Sequence, residues 1–376
     1  MAEVYLTIFF ISVLLIFLGS GVWVGISMIG VSTIGMMMFT SRPVGDAMAT
    51  TMWSMGSSWS LTALPLFVWM GEILFRTKLS ENLFKGLSPW LARLPGGLIH
   101  VNILGCAIFA AISGSSAATV ATVGKMSIPE LRKRNYPERF LLGTLAGSGT
   151  LGLLIPPSII LIIYGVTVEE SIAKLFIAGI IPGIALALLF MTYVVVWSIK
   201  NKKIMPVISE DFSFLEKIKQ SGQLIPVVLL ILAVIGSIYA GIATATEAAS
   251  LGVLGALVLS YFQKSLTKES FSKSLLGATK TSCMIAFILA GSSFLTLAMA
   301  FTGLPKNLAV FIDTLQLSPY MLLLVLTLFY IILGMFLDGI SAVVLTMAII
   351  EPMIRQAGFD MIWFGVYLVI VVEMAQ

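Results

Sequence analysis

The stretch from Leu104 to Ser158 is apolar enough for membrane spans, yet it is broken twice. The first break is AAISGSSAATVATVG, Ala110 to Gly124, a run of small and hydroxyl residues. The second is AGSGTLGLLIPPS, Ala146 to Ser158, where glycines and then Pro156-Pro157 interrupt what would otherwise be one helix. A basic hinge, IPELRKRNYPERF, lies between them. Lipid gives backbone N–H and C=O groups no partner, so unwound chain at membrane depth must be buried in protein or line a watery cavity. Two breaks this close point to a mid-membrane binding site built from half-helix ends. The plainer outcome is two kinked helices with a small-residue packing face. The repeat described below weighs against it.

Composition makes the membrane setting firm. Of 376 residues, 59% are hydrophobic and 11% charged, about half the charged share of a soluble domain. Cys106 and Cys283 both lie in apolar runs, so no disulfide or metal framework is expected. The net charge of +4 comes from loop lysines and arginines and does not indicate nucleic acid. The first residues, MAEVYLTIFF, lack the basic region of a signal peptide, so the first apolar segment is expected to stay in the mature protein.

Taken in order, residues 1–203 read as a first repeat. Scaffold spans occupy 4–75, with Gly19-Ser20-Gly21 dividing Val4–Thr40 and a polar connector at Ser41–Ser60 carrying the interfacial anchors Trp53 and Trp59. An amphipathic interfacial segment, 76–100, precedes a hairpin at 101–128, a broken span at 140–165 and a span at 176–198. Residues 204–222 are a polar linker. Residues 223–376 form the second repeat: spans in 223–262, an interfacial helix at 263–280, a span at 281–302, a hairpin at 319–354 and an incomplete broken span at 361–376.

Charge placement selects one topology. If each hairpin enters and leaves on one side and the N-terminus is outside, four basic clusters fall together in the cytoplasm and hold 18 of the 22 lysines and arginines. Only Arg42, Lys174, Lys306 and Arg355 fall outside. PELRKRNY at Pro129–Tyr136 matches PMIRQAGF at Pro352–Phe359, an offset of 223 residues. Upstream of the two copies sit the hairpin tips SGSS, Ser113–Ser116, and DGIS, Asp338–Ser341. The hairpins then open from opposite sides, which makes an inverted repeat of the kind secondary transporters use.

At these residues the chain resembles the large membrane subunit of the tripartite ATP-independent periplasmic (TRAP) transporters, over about residue 60 to the end. LPLFVWMGEIL, AIFAAISGSSAATVATVG, GTLGLLIPPS and GIATATEAA carry the likeness. The resemblance implies an all-α polytopic membrane protein of the bacterial inner membrane: a sodium-driven symporter with an elevator mechanism, two re-entrant hairpins and broken helices. It implies a small four-helix membrane subunit and a periplasmic solute-binding protein as partners. A small organic acid, such as a dicarboxylate or sialic acid, is the expected substrate, since half-helix N-termini suit carboxylates.

The resemblance also places a sodium site at the first tip. A hard cation wants several oxygens, which unwound carbonyls and hydroxyls supply without a fixed charge. Ser113, Gly114, Ser115 and Ser116, facing Gly147, Gly149, Thr150 and the Pro156-Pro157 break, make such a set. Within it Ser113, Ser116, Gly147 and Thr150 are the expected Na⁺ ligands. Asp338, Gly339 and Ser341 are the matching second set. A carboxylate at mid-membrane costs about 3 kcal/mol or more unless satisfied, so Asp338 would cap a half-helix starting at Gly339, neighbour a second Na⁺ site, or both. Glu373 and Met374 fall opposite Thr150 and Leu151 in the repeat and would flank the second break. The remaining ligands, like the counterpart of Pro156-Pro157, are expected beyond Gln376, in a C-terminal continuation. Glu72 and Glu247 read as structural partners.

GSGTLG, Gly147–Gly152, is formally G-x-G-x-x-G but lies in a span rather than after a strand, so no dinucleotide is expected. VGKM lacks the first glycine and the Ser/Thr of a P-loop, so ATP is not the expected driver. An intramembrane serine protease using Ser113 would need a general base, and the single histidine, His100, precedes the hairpin near the interface. A channel fits the paired breaks less well than alternating access.

Overall fold

Long apolar runs without water must satisfy their own backbone, and helices do this within one segment. The computed structural model describes residues 2–77, 79–206, 213–222, 224–303, 318–335 and 337–375, and these contain helices and no strand. Lys306 and residues 207–212 of the linker lie outside the described residues. The helices are α1 (Ala2–Gly19), α2 (Val24–Phe39), α3 (Val44–Gly56), α4 (Ala63–Phe75), α5 (Leu79–Leu91), α6 (His100–Ser113), α7 (Ser116–Lys133), α8 (Glu138–Gly149), α9 (Leu151–Leu154), α10 (Ile159–Thr167), α11 (Ile172–Lys200), α12 (Phe214–Ser221), α13 (Ile225–Tyr239), α14 (Ala245–Phe262), α15 (Lys268–Thr302), α16 (Pro319–Gly334), α17 (Gly339–Gln356) and α18 (Met361–Ala375).

Among the described residues, five segments are long and apolar enough to cross a membrane: Glu138–Thr167, Ile172–Lys200, Ala245–Phe262, Lys268–Thr302 and Gly339–Gln356. Counting each bent helix pair as one span raises that to seven. The 14 residues of α6 rise about 21 Å at 1.5 Å each, short of a bilayer core of about 30 Å.

Several local expectations change. The polar connector after Thr40 is mostly helix α3, opened by Pro43 at its N-cap with Asp46 in the first turn. None of its side chains is buried, and Trp53 and Trp59 stand out on the surface. Residues 263–280 do not form a separate interfacial helix. From Lys268 the helix continues for 35 residues into the following span, because no proline interrupts it. His100 is fully buried within the protein, its Nε2 2.9 Å from the Pro95 carbonyl.

Two compact units draw on both halves of the chain. The first contains Met1–Leu61, Ile162–Ser171 and Thr281–Gln376; the second contains Thr62–Leu161 and Ile172–Lys280. In the second unit the core gathers Leu98, Ile99, Val101, Ile103, Leu131, Leu141, Leu151 and Val194, so α6, α7, α8 and α11 share one apolar interior. Glu72 in α4 is held by Arg76 at 2.9 Å, and Glu247 closes a capping box with Thr244. In the first unit a smaller core forms around Met36, Phe294 and Ala298. There Ser292 donates to the Val344 carbonyl at 2.7 Å, and Tyr330 pairs with Thr346 at 2.6 Å. Arg355 donates to the Val168 carbonyl at 3.1 Å, placing a cation where the α10 carbonyls end.

Candidate functional site

The chain leaves α6 through Gly114, whose φ of +59° is the left-handed turn that glycine adopts without strain. Its N–H donates to Ala110 O at 3.1 Å, ending the helix. Ser115 is extended and caps α7, its hydroxyl accepting from Ala118 N–H at 3.5 Å. Thr119, one turn on, donates its hydroxyl to Ser115 O at 2.7 Å and pairs with Ser113 Oγ at 2.9 Å. Ser113 Oγ also accepts from Ser115 N–H at 3.3 Å. Ser116 Oγ is buried without a hydrogen-bond partner.

The facing span breaks at its prolines. Gly147, Gly149 and Thr150 stay helical, and the chain turns extended only at Ile155, before the cis-linked Pro156-Pro157. A glycine costs a helix about 1 kcal/mol. Proline removes a donor and restricts the residue before it, so the prolines set the break. α10 restarts under Ser158, which donates to Leu153 O and accepts from Leu161 N–H at 3.3 Å.

Tip and break meet directly. Ile159 N–H donates to Gly114 O at 3.4 Å. A Cβ on Gly114 would lie 2.8 Å from Pro157 O. A Cβ on Gly152 would lie 2.8 Å from Ser115 O and Ser116 N, and one on Gly149 would run into Val120. These glycines let α8 and α9 approach the hairpin backbone; they do not unwind it. Thr150 Oγ1 donates to Gly147 O at 2.8 Å, so these two are tied to each other. The structure therefore gathers Ser113, Gly114, Ser115, Ser116, Gly149 and Pro157. It adds Thr119 and Gly152, which sequence reasoning missed, as it missed Ser158, whose hydroxyl bridges the two sides of the proline break. Thr119 was legible as the residue four after Ser115; Ser158 was legible as a hydroxyl just past two prolines.

The second tip follows the same register. α17 begins and ends 223 residues after α7. Asp338 is extended and caps it, Oδ2 accepting from Ser341 N–H at 3.2 Å, as Ser115 does for Ala118. Gly339 and Ser341 are buried, while Asp338 itself is exposed. The turns after the two helices also correspond: Asn135 (φ +59°) matches Gly358 (φ +79°). Tyr136 N–H to Leu131 O, 3.1 Å, matches Phe359 N–H to Ile354 O, 3.2 Å. Glu373 is buried in α18, Met374 is exposed, and a Cβ on Gly334 would run into Ala375. The end of α18 thus packs on the end of α16, beside the tip.

The oxygens at the first tip are hydroxyls and carbonyls. Among the described residues, no three His, Cys, Asp or Glu side chains cluster as metal ligands. Such neutral donors suit a hard monovalent cation or a polar substrate group. They do not suit nucleophilic catalysis. Ser113 is bonded to Thr119, and His100 starts the same helix about 20 Å away at 1.5 Å per residue.

An all-helical chain with apolar spans, capped half-helices and a proline-broken helix against a hairpin tip is a multi-pass membrane protein. Across residues 11–376 it matches the Tripartite ATP-independent periplasmic transporter, DctM component, and it belongs to that family. Members are transporter permeases rather than enzymes. The C4-dicarboxylate TRAP transporter large permease protein DctM of Pseudomonas aeruginosa is 31% identical over 87% of this chain and 76% of its own length. The sialic acid TRAP transporter large permease protein SiaM of Vibrio cholerae is 30% identical, over 93% of this chain and 82% of its own. The 2,3-diketo-L-gulonate TRAP transporter large permease protein YiaN of Escherichia coli is 31% identical, over 86% and 76%.

Proposed function

We propose that this chain imports a small organic acid across the bacterial inner membrane, coupled to sodium entry. In this reading it works as a large permease subunit, with a small four-helix membrane subunit and a periplasmic solute-binding protein that delivers the substrate. Family membership supports the general role. The names of the three relatives all denote carboxylate substrates, which supports the substrate class.

One observation carries the sodium part of the reading. At the first tip a buried hydroxyl, Ser116 Oγ, has no partner where a helix end, a helix start and a proline break converge. Buried polar groups are normally satisfied, and an exception asks for a reason. A Na⁺ ion would be held there by Ser116 with neighbouring hydroxyls and carbonyls of the tip. Asp338, Gly339 and Ser341 would contribute to a second such site. Hairpins and broken helices moving together against the remaining helices would give alternating access by an elevator motion.

Reconstitution with both partner subunits tests this. Uptake of a matching carboxylate should follow an inward sodium gradient and fall to background with choline. Full uptake in choline would sink the sodium reading while leaving the permease role standing. Cysteine crosslinks between a tip and the static spans should arrest transport. Undiminished activity after complete crosslinking would rule the motion out.

A further inference from the structure

After α11 the sequence reads as a polar linker, yet its described part folds into an ordered amphipathic helix. α12 opens on a capping box: Ser213 Oγ accepts from Glu216 N–H at 3.3 Å, and the Glu216 carboxylate accepts from Ser213 N–H at 2.8 Å. It is docked on α5 through Trp90. The indole N–H donates to Ser221 Oγ at 2.7 Å, and Ser221 donates to Gly86 O at 3.3 Å. The Lys217 ammonium stands 5.6 Å from the Trp90 ring centroid, and Phe214 meets that ring edge-on at 6.3 Å.

Docking this way leaves the apolar stripe of α12 uncovered. Phe214 is 69% exposed, Leu215 77% and Ile218 49%. Ile218 follows Phe214 by four residues and Leu215 by three, which puts the three on one side of a helix. In α13, the next helix and an apolar one, Ile225, Leu229 and Leu232 are exposed as well. From Lys200 to Lys219 the sequence carries five lysines against Glu210, Asp211 and Glu216. An exposed apolar stripe on a helix with flanking lysines, followed in the chain by an apolar helix with exposed apolar side chains, fits the boundary between acyl chains and anionic headgroups.

We infer that α12 lies in the headgroup layer of the membrane face carrying the basic loops, with Phe214, Leu215 and Ile218 sunk to the acyl boundary. Trp90 then fixes its angle, and α12 anchors the connection between α11 and α13. This inference is independent of what the protein transports.

The test places a single cysteine at Leu215 in full-length chain with Cys283→Ser; Cys106 is buried. A polarity-sensitive fluorophore is attached and the chain reconstituted in phosphatidylcholine vesicles with and without phosphatidylglycerol. Brominated lipid should quench this label about twofold or more beyond the same label at Lys202, while aqueous iodide quenches it less. Phosphatidylglycerol should strengthen the lipid quenching. Ile218→Cys serves as the second site if the first variant fails to fold. Iodide quenching equal to that at Lys202 overturns the inference. So does protection that arises only when the small membrane subunit is added, which would make the stripe a protein contact.

Discussion

α7 and α17 each run 18 residues and start 223 positions apart, yet Ser115 caps one and Asp338 the other. At the first tip the cap belongs to a mesh of hydroxyls: Ser113, Ser115 and Thr119 bond among themselves, and the tip is docked on a proline break. At the second tip a carboxylate caps the helix alone and faces outward. One backbone plan thus carries two electrostatic solutions. The closed tip can leave a neutral hydroxyl without a partner. The second tip presents its carboxylate on an exposed residue.

Breaking the close approach at the first tip should have the largest effect. Gly114→Val forces a branched side chain into a left-handed turn and toward Pro157 O. The strain is about 1–3 kcal/mol, and overpacking adds about as much again. Uptake in proteoliposomes should fall at least tenfold, with faster protease cleavage near the tip. Near-normal uptake would mean the tip does not need to seat against the break.

Swapping caps sharpens the comparison at intermediate size. Asp338→Ala should lower thermal stability by about 0.5–2 kcal/mol through loss of the N-cap, and Asp338→Ser should restore most of it. If Asp338→Ser also restores uptake, the carboxylate is only a cap. Stability restored without uptake assigns the charge to the transport cycle.

At the first tip, Thr119→Ala removes two hydrogen bonds and should cost about 1–2 kcal/mol. Ser116→Ala removes a hydroxyl with no partner, so the fold should be unchanged or slightly more stable. Its effect should appear instead as a higher sodium concentration for half-maximal uptake. A stability loss equal to that of Thr119→Ala would show that Ser116 is bonded after all.

The smallest effect is expected at the matched turns. Gly358→Ala should destabilise by about 1 kcal/mol, because alanine resists the left-handed conformation. Asn135→Gly should be neutral or slightly stabilising, since asparagine already tolerates it. Thermal melts of the two variants check the pair; a clear loss at Gly358→Ala with little change or a small gain at Asn135→Gly is the outcome expected of two turns in one left-handed conformation.

Some helix starts and stops were legible in the sequence because they depend on neighbours within four residues; α3 and α12, read as polar connectors, were not. Asp338, Pro156-Pro157 and the PELRKRNY/PMIRQAGF pair announced a cap, a break and the repeat by themselves. So did the apolar runs, which admit only helices in lipid. The roles of Gly149 and Gly152 were not legible. Both looked like unwinding signals, and only the approach of Val120 and Ser115 shows that they are there for contact. Nor could the sequence show that Ser116 alone among the tip hydroxyls lacks a partner, or that Trp90 orients α12, 131 residues from Trp90 to Ser221. Those outcomes depend on which distant atoms arrive beside a residue. Packing settles that, and no local spacing encodes it.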